Sequence, residues 1–466
     1  MNSDFAFFDW LLVALYFFFL IWISWKKGWE SEDSEEEFLL SGRKVTLPAF
    51  VATLVSTWYG GILGVGEWSY QFGISQWLIL GAPFYIFSAI FAVYLAGKIR
   101  LNKALTIPEA IANQYSERAG RISALPIFIL VSPAPYILML GLLFQFLIGG
   151  DAPFLLYASL VALFSVFYIT IGGFGAVIRT DILQVVLMFT GFIVLLIFAM
   201  AQFGGFGTLI ESLPDGHMDI TGGHSLQYIL VWFFIALWTF VDPSFHQRAA
   251  AAESPETAKK GIFWSIAFWI AFDFLTCFAG LYAYAILGGG LEQPVLAYPI
   301  LADEILPIGV KGLFFLSLLA TIMSTLDSYL FISGQTLGRD YLLKYFPSVR
   351  PNLLTRIGIL VSAILGIILI IIYPSVIDLW YVIGSVFIPG LLIPVLGIYL
   401  KPFQFPAKIV YASIIGCTLV SLTWLILGTV LPQPGGGYAF YRIEPFYPGL
   451  FLAILLWIYG RLRMSK

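Results

Sequence analysis

Four hydroxyls recur at helical spacing in one apolar run: Thr321, Ser324, Thr325 and Ser328, with Asp327 at the edge of their stripe. Steps of three and four residues put the hydroxyls on one face of a helix running from about Gly312 to Gly334. A carboxylate and four hydroxyls at membrane depth are costly unless they face a partner, water or an ion. All of them present oxygen, the ligand that a hard cation such as Na⁺ takes. The competing reading, hydroxyls bonding back to their own helix, is common for single Ser and Thr residues. Asp327 tips the balance toward an ion.

A second chemical cue lies near the start of the chain. The run from Leu47 to Glu67 carries Gly60, Gly61, Gly64 and Gly66, enough to weaken a helix halfway across a bilayer and free the carbonyls before them. Such a break holds ions and solutes in secondary transporters; the alternative is that the glycines only allow close helix packing. Trp58 and Tyr59 beside the break favour the first, as a platform for a solute. Further along, Trp238 to Pro243 (WTFVDP) places a second breaker, and Asp242, Asp273 and Glu67 are additional acids that could line a solute path. His246, beside Arg248 at an expected helix end, reads as structural.

The elements that must hold these residues are membrane helices. With 60% hydrophobic, 17% aromatic and 11% charged residues the chain is an integral membrane protein, and a soluble core is excluded. About thirteen apolar runs are long enough to span, near 8–26, 47–72, 75–97, 121–148, 153–172, 176–201, 226–247, 260–287, 308–337, 353–373, 376–400, 407–431 and 447–462. The first follows an acidic N-terminus without a cleavage site and reads as a retained helix. Nearly all Lys and Arg, from Lys26 to Lys466 and including Arg248, fall on one side, with Lys311 and Arg442 on the other. The positive-inside rule then puts the N-terminus outside the cell membrane and the C-terminus in the cytoplasm. Cys277 and Cys417 sit in apolar runs as packing residues. The acidic run Glu30 to Glu37 is a solvated stretch, and segments 202–225 and 289–305 are external loops too short to be domains. No phosphate-binding loop points to ATP, no basic patch to nucleic acid, and nothing calls for a protein partner beyond membrane lipid. The chain reads as a secondary transporter of a small-molecule solute or a pore, not an enzyme.

Four segments in order carry a resemblance: Ala52 to Ser56 (ATLVS), Gly172 to Gln184 (GGFGAVIRTDILQ), Asp242 to Ser254 (DPSFHQRAAAAES) and Ala320 to Leu326 (ATIMSTL). Over roughly residues 40–400 the chain resembles the sodium:solute symporters, which include transporters of proline, galactose and sialic acid. The resemblance implies an all-α, LeuT-like core of five plus five inverted-repeat helices, with one helix before and two after. The implied units are 1–46, a first repeat over 47–201, a second over 202–400 with its preceding external loop, and a C-terminal pair over 401–466. It implies Na⁺ as coupling ion, held by the carbonyls of Ala52, Val55 and Thr321 and the hydroxyls of Ser324 and Thr325. It further implies a second cation site, found in some members, from Asp181, Ser324, Asp327 and Ser328. Asp327 stands there where the family pattern has a hydroxyl, which makes the site unusually acidic or suited to a proton. Asp181 has an alternative reading as a solvated charge near Arg179.

For the solute, Trp58, Tyr59, Trp238 and Asp242 are the expected contacts. Galactose transporters place amides at the positions of Leu54 and Tyr59, which disfavours a sugar, and Trp58 resembles the aromatic of the proline branch. A small amino acid or carboxylate is the resulting expectation, moved by Na⁺-driven symport with alternating access. Proton coupling or exchange through Asp181 and Asp327 is the alternative within transport. A sensor or channel retaining the fold is the alternative outside it; the lack of a signalling module and the bulky aromatics at the break argue against these two.

Overall fold

The computed structural model describes residues 5–28, 35–431 and 438–464. Residues 29–34 of the acidic stretch, the side chains of Lys26 and Lys27, and Lys466 lie outside the described set. The described chain is nearly all helical, with only isolated bridges pairing Val45 with Ala252 and Phe440 with Ile443. A lipid environment demands this, because every backbone N–H and C=O must be satisfied within its own segment.

Eleven described helices are long and apolar enough to cross a membrane. The two other expected spans coincide with Phe7–Gly28, whose apolar stretch Phe7–Ile23 is shorter, and with Phe446–Met464, so the count of thirteen does not follow from length and apolarity alone. Two spans, Phe154–Ile171 and Gly173–Phe203, follow without a loop. The corner is Gly173, at φ +58°, a conformation that glycine adopts without steric cost. A short helix, Ala297–Ile305, lies within the expected external loop 289–305, where Asp303 pairs with Lys311 at 2.7 Å. Both cysteines are buried and free.

The helix bearing the hydroxyl stripe, Val310–Gln335, is the axis of the molecule, with the whole of its apolar window buried. Burial on all sides explains why apolar residues go all round it instead of forming a single stripe. Against it lies the first broken helix. The α-helix Leu47–Trp58 gives way to a 3₁₀ turn, Tyr59–Gly61, and resumes at Ile62–Phe72. The glycines serve both purposes considered from the sequence. A Cβ on Gly60 would meet Thr325 Oγ1 at 2.0 Å, and one on Gly61 would meet the Trp380 ring at 2.2 Å, so the break is also the point of closest approach.

The second broken helix comes five spans later. Leu226–Ile235 and Trp238–Val241 lead to an extended Asp242, and Pro243–Ala251 starts anew. Asp242 caps the new helix, its Oδ1 accepting from Ser244 N at 2.7 Å, and Pro243 takes the first-turn position where its missing N–H costs nothing. This half-helix is buried along its whole length. Arg248 therefore does not belong to the basic side, as counting charges near helix ends suggests; it is enclosed in the protein.

Candidate functional site

Two adjacent hydroxyls of the Val310–Gln335 helix reach different neighbours, Thr325 the first break and Ser324 the span Gly173–Phe203. Ser324 Oγ donates to Asp181 Oδ1 at 2.6 Å, and Thr325 Oγ1 donates to the carbonyl of Thr57 at 2.7 Å. A hydroxyl has one proton and two lone pairs. With both protons directed to other acceptors, Ser324 and Thr325 keep lone pairs for a cation, and the carboxylate behind Ser324 strengthens its oxygen as a ligand. Ala52, Val55 and Thr321 are all buried. The carbonyl of Ala52 also accepts from Ser56 Oγ at 2.9 Å, and Thr321 Oγ1 donates back to Ser317 O at 2.7 Å. This donor set, neutral oxygens beside one carboxylate, suits Na⁺.

Asp181 is wholly enclosed and does not turn toward Arg179 and solvent. Its Oδ2 accepts from Thr53 Oγ1 and lies 3.7 Å from Arg248 Nη2. The same Nη2 donates to Thr57 Oγ1 at 2.6 Å and Ser328 Oγ at 2.9 Å, while Nε reaches the Thr53 carbonyl at 3.3 Å and Nη1 the Ser244 carbonyl at 3.4 Å. The guanidinium thus sits among three of the four residues considered as a second cation site, or one bond from them. The fourth, Asp327, goes elsewhere: its Oδ2 accepts from Tyr168 Oη, and its Oδ1 has no hydrogen-bond partner among the described residues. Sequence reasoning missed Arg248 as a site residue. The available signal was its place six residues past Asp242 in a segment that opens with Asp-Pro, inside a span rather than after it.

A cavity of about 890 Å³, counted with the space at its mouth, adjoins the first break. Trp58, Tyr59, Trp238 and Asp242 all line it, together with Asp273 and Gln76. Trp58 packs edge-on against Phe84 at 4.6 Å between centroids and leans on Trp269 at 5.3 Å. A smaller cavity, about 440 Å³, is bounded by Pro243, His246, Gln247, Gln335 and Tyr399. The half-helix Pro243–Ala251 with its cap is the wall between the two: Asp242, Ser244 and Phe245 face the first, Pro243, His246 and Gln247 the second. His246 Nε2 donates to the Phe240 carbonyl, 2.9 Å away, and the ring packs on Phe91.

Residues 38–404 match the sodium:solute symporter family. A sodium/proline symporter of Staphylococcus aureus is 26% identical over 355 residues, covering 71% of this chain and 67% of that protein. Among solved structures, a Na⁺-coupled sialic acid symporter in a substrate-bound outward-open state superposes with a TM-score of 0.80 at 15% identity, over 98% of this chain and 97% of that one. Mhp1, a nucleobase-cation-symport-1 family transporter, gives 0.61 at 16% identity over 92% and 94%, and MhsT in complex with L-phenylalanine gives 0.53 at 16% over 92% and 98%. These likenesses show the LeuT-like fold with its two broken helices.

Proposed function

This chain belongs to the sodium:solute symporter family and is a multi-pass membrane protein that couples solute movement to Na⁺, and we propose that it takes up a small amino acid with a single Na⁺. Thr325 on the first break and Ser324 on Asp181 carry the reading of the ion site: two hydroxyls whose protons are committed elsewhere and whose lone pairs are left for Na⁺, with the carbonyls of Ala52, Val55 and Thr321 completing the proposed set. These ligands come from two helices that must meet for the ion to be held. Alternating access follows if Na⁺ binds one arrangement better than the other, because only differential affinity shifts such an equilibrium. The path from ion to gate is short. Ser324 holds Asp181, Asp181 faces Arg248, and Arg248 belongs to the half-helix that divides the two cavities. A single stoichiometric Na⁺ is supported by the guanidinium, which brings its own positive charge to the oxygens of Asp181 and Ser328 that a second ion would otherwise use.

Proton coupling through Asp181 and Asp327 has one observation in its favour, the partnerless Oδ1 of Asp327. The arrangement around Arg248 speaks for the sodium reading, since Asp327 is directed to Tyr168 and away from that cluster. Uptake of radiolabelled amino acids into proteoliposomes under an inward Na⁺ gradient, and separately under an inward proton gradient without Na⁺, decides between them. Accumulation driven by protons alone would overturn the single-Na⁺ reading. In the same assay Asp327→Asn should keep the Na⁺ half-saturation within about threefold, the scale of a substitution outside the ion's ligand set.

The cavity supports an amino acid over a sugar. Leu54 and Tyr59 line it where the galactose transporters place amides, and the Tyr59 hydroxyl proton is committed to the Trp269 carbonyl at 2.7 Å. Trp58→Ala should raise the solute half-saturation about tenfold or more by removing aromatic contact area, with the Na⁺ value nearly unchanged because the carbonyls of Ala52 and Val55 remain. Equal losses in both would assign Trp58 to shaping the break. The repeat boundaries at 47, 202 and 401 and an external N-terminus complete the proposal. The basic side is tied together by Arg339, which pairs with Glu109 at 3.1 Å, with Asp340 at 2.9 Å and with Glu35, and by Lys344 with Glu117. Exposed Leu160, Phe167, Ile364 and Ile368 fit a lipid-facing surface.

A further inference from the structure

Asp273 is 4% exposed, lines the solute cavity and has no Lys, Arg or His within ion-pair distance among the described residues. Its partners are neutral donors: Gln76 Nε2 at 3.1 Å on Oδ1 and the Tyr85 hydroxyl on Oδ2. The other cavity carboxylate, Asp242, is differently placed. It caps its own half-helix, takes the Tyr329 hydroxyl at 3.4 Å and lies in the field of Arg248. No Lys, Arg or His lines the cavity at all among the described residues.

Three further features converge on Asp273. Gln76 turns its amide nitrogen to the carboxylate and leaves Oε1 without any hydrogen-bond partner among the described residues, although the residue is 1% exposed and lines the cavity. A buried acceptor left unmade is costly, so it implies a donor that arrives from outside. The helix across from Asp273 carries a π-bulge at Trp77–Gly81, a distortion that recurs at functional sites. It brings Gly81 so near that a Cβ there would meet Tyr85 Oη at 2.9 Å and Asp273 Oδ2 at 3.0 Å, so the backbone is shaped around the carboxylate. Aromatic faces complete the walls, with Trp58, Phe84, Tyr136, Tyr329 and Trp380 around the same space. Rings of this kind attract cations through their quadrupoles and do nothing for an anion.

We propose that the solute carries a protonated amine whose N–H groups are read by Asp273 and by Gln76 Oε1, and that a carboxylate lacking an amine is not a substrate. The proposal rests on the amino-acid reading of the cavity and sharpens it: the amine, not the acid group, is the recognised feature. A buried carboxylate with only neutral donors gains an opposite charge when an ammonium arrives, and the acceptor on Gln76 gains its missing donor in the same event. A carboxylate anion without the amine would instead face two acids, aromatic faces and no cation, which repels it.

The test uses the purified full chain in detergent and in proteoliposomes, with tryptophan fluorescence as the binding signal, since Trp58, Trp238 and Trp380 line the cavity. The probes are the twenty common amino acids, their deaminated acids, cyclopentanecarboxylate as the partner of proline, small primary amines, and galactose. Every probe that binds in the presence of Na⁺ should carry a protonatable amine, and its deaminated partner should bind at least about 100-fold more weakly, as a site built for a donor rejects the analogue without it. Asp273→Asn should weaken the best amine by about 30-fold or more. Gln76→Leu, which keeps volume and removes both the Oε1 acceptor and the Nε2 donor on Asp273, should weaken the same probe by about tenfold or more. A deaminated acid or galactose binding as well as its best amine counterpart overturns the proposal, as does failure of every amine to bind, or unchanged affinity in both variants. The underlying amino-acid reading fails differently: small primary amines would then bind and none of the twenty amino acids would, whereas a deaminated acid that binds as well as its amino acid removes only the amine proposal.

Discussion

Arg248→Ala should lower Na⁺-coupled uptake by about 100-fold or more, the largest effect expected of any single substitution outside the ion's own ligands. The change removes the only positive charge within ion-pair distance of Asp181 among the described residues and leaves that carboxylate enclosed beside Thr53 and Ser324. It also frees the wall between the two cavities, because the same guanidinium ties the half-helix Pro243–Ala251 to Thr57 in the first break and to Ser328 in the central helix. Arg248→Lys keeps the charge but not the fork, which here spans at least four acceptors, so partial activity with weaker Na⁺ coupling is the expected result. Loss of expression would obscure this, and the double variant Arg248→Ala with Asp181→Asn separates the causes. Removing both charges should restore folded protein and part of the activity relative to Arg248→Ala alone, a coupling that a double-mutant cycle measures directly. If instead Arg248→Ala transports normally and its Na⁺ activation stays hyperbolic, the guanidinium is a packing residue and the second-cation question reopens.

How far these features are legible in the sequence depends on whether they are local. Helix periodicity is local, so the stripe of Thr321, Ser324, Thr325 and Ser328 could be read directly, and glycine content marked the break at Tyr59–Gly61. Asp-Pro marked the second break for the same reason, as proline cannot continue the preceding helix. Partner choice is not local. A helical wheel puts Asp327 at the edge of the stripe, but which neighbour meets that edge is decided by the packing of Phe154–Ile171, whose Tyr168 takes the carboxylate. Arg248 escaped because charge counting assigns a residue to a membrane side from its distance along the chain, and a half-helix that ends inside the protein defeats that measure. Asp273 was visible as an acid in an apolar run. Its pairing with Gln76 and Tyr85 was not, since it depends on a π-bulge that carries no clear sequence mark.

Ser324→Ala combined with Thr325→Ala should raise the Na⁺ half-saturation of uptake by about 100-fold, while a solute supplied at saturating Na⁺ still binds. Both hydroxyls are buried, so no water stands ready to replace the lost oxygens around a desolvated ion. Each single change has a second consequence that separates the two roles. Ser324→Ala also strips Asp181 of the donor on Oδ1, which disturbs the ion pair with Arg248 and should reduce the maximal rate as well as the Na⁺ affinity. Thr325→Ala removes the donor to the Thr57 carbonyl at the break and leaves Asp181 untouched, so it should act on Na⁺ affinity more than on rate. Thr325→Ser keeps that donor and should stay near the wild type, whereas a Cβ added at Gly60, 2.0 Å from Thr325 Oγ1, should mimic the loss of Thr325 by pushing the two helices apart. Sodium titrations of uptake at fixed solute, across these four variants and the double, test the order. Unchanged Na⁺ dependence in the double variant would remove Ser324 and Thr325 from the ion site. The carbonyls of Ala52, Val55 and Thr321 would then lack the hydroxyl partners that make them a site, and the coupling ion would have to bind elsewhere in the protein.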